Sequence, residues 1–214
     1  MRAHSKAEKF FTSEEKERLE ATTREVESRT IGEIVVMVVD RSERYMETEV
    51  LGGVLLGSLF SLILTLLFFH SSMWSYVPLN FLFFFPCRFL FQKMDALKKL
   101  FIGVRRKEEA VRLRAERAFF ERGLYKTKKN TGVLVFLSLL ERKVWILADK
   151  GIYEKMDQKT LDRFANEVSR GVREDRACEV LSQAIQEIGV ILSRHFPITS
   201  DDTDELTDRV MTEK

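Results

Sequence analysis

The sequence predicts an α/β sandwich, a small mixed sheet flanked by helices, interrupted by a two-helix transmembrane hairpin. Two long apolar segments, residues 50–69 and 74–91, lie back to back inside a chain of 214 residues that is 32% charged. Three short runs rich in β-branched residues, at 32–40, 132–140 and 143–149, have the composition of buried strands. Elsewhere apolar residues recur at three- and four-residue steps, the spacing of helices that bury one face.

The first helix is set by its start. Phe10 and Phe11 lead into Thr12-Ser13-Glu14-Glu15, where Thr12 as N-cap and Glu15 three residues on make a capping box. Leu19, Thr22, Thr23 and Val26 then mark one face, and the helix is expected to end near Arg29. Residues 32–40 follow as a strand apolar on both faces, which suits a central strand covered on each side.

That strand runs through 41–49 into the apolar insertion. Residues 50–69 are twenty positions without a charge, enough at about 1.5 Å per residue to cross a hydrocarbon core of roughly 30 Å. Residues 74–91 carry Pro78, Asn80, Pro86 and Arg88 and read as the return pass, with Arg88 placed to snorkel to the interface. Gly53 and Gly57 form a small-xxx-small pair that permits close helix contact, either folding the hairpin on itself or joining a homo-oligomer.

Beyond Gln92 a long helical pattern passes through Met94, Leu97, Leu100 and Phe101 to Phe119; Gly103 marks either a bend or a position in one continuous helix. Gly123 suits a left-handed C-terminal cap. Glu141-Arg142 joins the next two strands as an antiparallel hairpin, with Trp145 among the expected core residues. Asp157 reads as the N-cap of an amphipathic helix through Leu161, Phe164 and Val168, and a last helix through Leu181, Ile185 and Ile188 stops at Pro197. Residues 1–48 and 93–196 thus make one discontinuous domain, 49–92 the hairpin insertion, and 197–214 a polar tail expected to lack structure.

Formal net charge is +2 with acids and bases interspersed, which gives no footprint for nucleic acid. The distribution around the hairpin is lopsided. Arg41 and Arg44 precede it, Arg88 lies near the end of its second segment, Lys93, Lys98, Lys99, Arg105, Arg106 and Lys107 follow, and the intervening residues 70–74 hold no Lys or Arg. The positive-inside rule therefore predicts a two-span membrane protein whose soluble domain is cytoplasmic. Cys87 and Cys178 fit reduced thiols, and no apolar core of signal-peptide length is seen near the N-terminus. The expected partners are the lipid bilayer and an unidentified membrane protein.

Established hydrolase signatures are absent: no Cys is followed five residues later by Arg, and no Gly-rich loop ends in Lys-Ser/Thr. Ligands of α/β sheets bind outside the carboxyl ends of strands. Asp40 and Asp149, each ending a strand, are accordingly the candidate cation ligands, and they converge only if their strands run parallel as neighbours.

Ile31-Gly32-Glu33-Ile34-Val35-Val36-Met37-Val38, the helix running into Phe119-Phe120-Glu121-Arg122-Gly123-Leu124, Asn130-Thr131-Gly132-Val133-Leu134-Val135-Phe136-Leu137-Ser138 and Arg142-Lys143-Val144-Trp145-Ile146-Leu147-Ala148-Asp149-Lys150-Gly151-Ile152 together resemble the TPM domain family. The resemblance implies a Rossmann-like α/β sandwich, and for some members a divalent-metal-binding acid phosphatase. The family's Asp-Asn-Gly before the middle strand stands here as Asn130-Thr131-Gly132, and the Glu of its Gly-aromatic-Gly-Leu-Glu is replaced by Tyr153. For Ca²⁺ or Mg²⁺, which need several oxygen ligands, the candidate metal residues are the strand-end Asp40 together with Asp149, Glu154 and Asn130 near the family's motif positions. With the acidic motifs degraded, the expected role is a membrane-anchored binding, scaffold or assembly factor with residual metal binding. The alternative is a divalent-cation-dependent acid phosphatase at the membrane surface.

Overall fold

A computed structural model describes residues 5–68, 73–127, 129–198 and 209–213. His4, the expected far-side turn with His70, and tail residues 199–208 lie outside them. The chain forms two compact units, Met1–Glu43 with Glu108–Lys214, and Arg44–Lys107. The inserted unit is thus wider than the 49–92 read from hydropathy alone, because short helical and loop segments on both sides pack with it.

In the spliced unit, helix α1 (Ser13–Glu27) begins as its sequence dictates. The Glu15 amide donates to Thr12 Oγ1 at 3.2 Å, and the Thr12 amide donates to the Glu15 carboxylate at 2.8 Å. Strand β1 (Glu33–Val39) is buried at every position. Its parallel partner β2 (Gly132–Ser138) runs in register from Glu33 opposite Gly132 to Val39 opposite Ser138, and is likewise buried throughout. Strand β3 (Lys143–Ala148) returns antiparallel to β2 and alternates buried with half-buried residues.

Val144, Ile146 and Ala148 of β3 face the larger core. Helices α1, α7 (Gln158–Arg173) and α8 (Ala177–His195) close that core with Leu19, Val26, Leu161, Phe164, Val168, Leu181, Ile185 and Ile188. The opposite sheet face is covered by α5 (Val104–Glu121) through Val111, Ala115, Ala118 and Phe119. Trp145 lies on this thinner side, half-buried, with Nε1 lacking a hydrogen-bond partner among the described residues, so it is a rim residue and not the core residue expected.

Two features extend the predicted pattern. A four-residue helix, α6 (Lys150–Tyr153), follows β3 directly. The tail expected to lack structure supplies a strand, β4 (Met211–Glu213), which pairs parallel with Met37–Val39 and completes the order β3-β2-β1-β4. The Arg114 guanidinium grips the Glu213 carboxylate with bonds of 2.6 and 2.7 Å and holds this short strand on the sheet edge.

In the other unit, α2 (Met46–Phe68) and α3 (Met73–Lys93) pack along one another. Gly52, Gly53, Gly57, Ser61 and Thr65 are the buried stripe of α2. A Cβ at Gly53 would sit 2.9 Å from Arg88 Cβ, and one at Gly57 would sit 3.2 Å from the Phe84 amide nitrogen. The small-residue pair therefore faces α3, as expected if the hairpin folds on itself. Asn80 Nδ2 adds a 3.0 Å bond across to Ser58 Oγ.

Among the described residues one helix, α2, is long and apolar enough to cross a membrane, with mean hydropathy 2.4. Helix α3, interrupted by Pro78 and Pro86 and containing Arg88, does not meet that measure. A seven-residue helix, α4 (Asp95–Phe101), follows, and Ile102-Gly103 separates it from α5, so the pattern read from 94 to 119 is two helices. Lys98 of α4 is buried and donates to the buried Glu49 of α2 at 2.7 Å.

Candidate functional site

Strand direction decides which acids can meet. β1 and β2 are parallel, β3 is antiparallel to β2, and β2 lies between β1 and β3. Asp40, after β1, and Asp149, after β3, therefore stand at opposite edges of the sheet. The expected centre built on both carboxylates does not form.

At the edge formed by the carboxyl ends of β1, β2 and β4, Asp40 and Glu141 are engaged in building the domain. Asp40 Oδ1 accepts from Ser5 Oγ and from the Ala7 amide, both at 2.6 Å, and so pins the segment before α1. Glu141, buried just past β2, accepts from the Ser138 hydroxyl and, at 3.2 Å, from the Ser42 amide. The Ser138-x-x-Glu141 spacing is the one sequence signal that could have exposed this buried carboxylate.

Asn130, Asp149 and Glu154 gather at the other edge, around the start of β2 and the end of β3. Asn130 takes a left-handed backbone, φ 55°, and its carbonyl accepts from the Gly151 amide at 3.1 Å. That approach is close: a Cβ at Gly151 would lie 2.8 Å from the carbonyls of both Asn130 and Lys129. Thr131 fixes the entry to β2, its amide donating to Thr127 Oγ1 and its hydroxyl to the Ile31 carbonyl, both at 3.0 Å. Asp149 caps α6, Oδ1 accepting from the Lys150 amide at 2.7 Å. Its Oδ2 is buried with no hydrogen-bond partner among the described residues. Glu154 is exposed at the C-cap of α6.

Tyr153, standing where the family resemblance implies a Glu, is chemically different. Burial raises its phenol above the ordinary value, and the carboxylates of Asp162 and Glu116 push the same way, against a lowering hydrogen bond with the Ala148 backbone. It is a neutral hydroxyl, not a charged ligand. A hard cation takes six or more oxygens with carboxylates among them. This edge offers one unpartnered carboxylate oxygen, a backbone-engaged Asn130 and an exposed Glu154; among the described residues no three His, Cys, Asp or Glu are grouped to hold an ion. The donor set falls short of a cation cage.

One concavity of the spliced unit, among the described residues, lies between α7 and α8, about 460 Å³, lined by Arg163, Arg170 and Arg176 and by Glu167, Glu179 and Glu187. Its charges balance, and Arg176 is tied to Glu174 at 2.7 Å.

The TPM domain family matches residues 100–191, which take in α5, β2, β3, α6, α7 and most of α8 and leave out α1, β1 and the α2–α3 pair. Among solved structures, the NMR structure of BA42 protein from the psychrophilic bacterium Bizionia argentinensis is similar, with a TM-score of 0.59 at 20% identity over 95% of this chain and 96% of that one. At that identity the likeness concerns the fold. No curated protein matches the chain.

Proposed function

We propose, for a chain whose residues 100–191 match the TPM domain family, a membrane-anchored domain serving as a binding, scaffold or assembly factor for a membrane partner. One observation carries the reading: α2 turns an apolar outer surface outward, with Leu51, Leu55, Leu59, Leu62, Leu66 and Leu67 each about half exposed or more. Exposed leucines at this density are costly in water, at ~25 cal/mol per Å² of apolar surface, and are the expected surface of a helix solvated by lipid. Helix α3 is read as the second span despite its prolines, which a neighbouring helix makes tolerable. The basic flanks support a cytoplasmic side for the domain.

The scaffold role is favoured over chemistry because the strand-end acids serve as clamps or lack companions. The test is recovery of the full chain from membranes after alkaline washing, followed by affinity purification in mild detergent. A stoichiometric membrane protein co-purifying with it is the expected result; release by alkali, or purification alone in every detergent, would count against the reading.

A second reading, a divalent-cation-dependent acid phosphatase, has the unpartnered Asp149 Oδ2 in its favour. Phosphatase turnover by the full chain that requires Ca²⁺, Mg²⁺ or Mn²⁺ and is lost in Asp149→Asn would establish it. Calorimetry without cation binding, together with no turnover, would remove it.

A further inference from the structure

We propose that α4 and its flanks form an interfacial platform that seats the base of the apolar hairpin on a layer of anionic phospholipid headgroups. This rests on the membrane-anchored reading and specifies the lipid chemistry it contacts.

One side of α4 is committed inward. Lys98 is buried on Glu49 at 2.7 Å, and the Phe101 ring meets the buried Phe91 ring edge-on at 5.3 Å between centroids. Lys98 is consequently neutralised within the protein and adds nothing to the surface charge. The side turned away from this contact carries Ala96 and, four residues on, Leu100, which is 79% exposed. Met94 before the helix and Val104 after it are also exposed apolar residues, at 43% and 65%.

Charge accompanies this strip. Arg88, Lys93 and Arg105 are exposed, while the acids of the same unit are turned to other uses: Glu49 is buried on Lys98, Glu47 pairs with Arg106 at 3.5 Å, and Asp95 is half-buried. An apolar strip bordered by cations is the pattern of a helix lying in the headgroup region, where hydrocarbon burial and attraction to anionic lipid act together. The occupant is lipid because the same unit carries the exposed leucines of α2 together with exposed cations around the strip.

The full chain is reconstituted into vesicles of phosphatidylcholine alone or mixed with phosphatidylglycerol. A spin label is placed at Leu100→Cys or, in a separate preparation, at Leu59→Cys on the outer face of α2; the buried Cys87 and Cys178 are left in place. Accessibility to oxygen relative to a nickel chelate reports depth. The Leu59 label is expected within hydrocarbon in both vesicles. The Leu100 label is expected to show a several-fold higher oxygen-to-nickel ratio with phosphatidylglycerol, and to lose that gain in high salt or when Lys93→Glu and Arg105→Glu are combined. A Leu100 label that stays water-accessible, or sits at equal depth in both vesicles, while Leu59 is lipid-buried overturns the platform and spares the anchor. A Leu59 label exposed to water overturns both.

Discussion

Thr12 and Asp157 perform the same task at two helix starts, yet one of them makes its contribution depend on pH. Thr12→Ala removes a reciprocal capping box and is expected to cost about 1 kcal/mol in denaturant unfolding. Asp157 accepts from both the hydroxyl and the amide of Thr160, and these bonds, hydroxyl first, hold its carboxyl below the ordinary value. A group depressed in the folded state stabilises above its unfolded value, about 3.9, and that contribution disappears as pH falls through the lower folded value. Asp157→Asn keeps a capping oxygen but cannot titrate. Its unfolding midpoint should match wild type near neutral pH and decline less in the acid limb below pH 4; identical acid limbs would contradict the assignment. At Cys178 burial raises the thiol above its usual value, with the Glu15 carboxylate adding to the effect. Alkylation by iodoacetamide at neutral pH should therefore be slow in the native chain and rapid in denaturant.

Between elements, the strongest commitments are those that leave a charge stranded when broken. Lys98→Met deprives the buried Glu49 of its partner and is expected to destabilise by about 3–5 kcal/mol, while Glu49→Leu with Lys98→Met should recover most of the loss; thermal unfolding in detergent measures both. Gly57→Leu would drive a side chain into the α3 backbone, and cysteine cross-linking between α2 and α3 should report their separation. What was legible in the sequence at this scale was local. The capping box, the left-handed Gly123 at φ 75°, the all-buried β1 and the β2–β3 hairpin each follow from residues within a few positions of one another. The misses are long-range. Met211-Thr212-Glu213 reads as polar tail because nothing nearby predicts a strand; its place depends on Arg114, 99 positions away in sequence. The pairing of Asp40 with Asp149 failed because strand order and direction, not composition, decide which strand ends share an edge.

For the whole molecule, the decisive fact is where the spliced unit is cut. Ser42, just before the insertion, donates its amide to Glu141, and Glu108, just after it, receives the Lys143 ammonium. Both ends of the cut are thus fastened to one place, the β2–β3 turn. Replacing residues 44–107 by a short Gly-Ser linker should leave a chain that is soluble and unfolds cooperatively, since closing so short a loop costs little entropy. Aggregation of that variant, with circular dichroism lacking α/β character, would show that the insertion is needed for folding. The same splice sets a clock on synthesis. β1 leaves the ribosome with six consecutive apolar residues, and its partner β2 follows only after the apolar insertion, about a hundred residues later. At ~5–20 residues per second, that strand waits roughly 5–20 s with neither edge paired. The nascent chain therefore passes through an interval in which its most adhesive segment is complete and its folding partner does not yet exist.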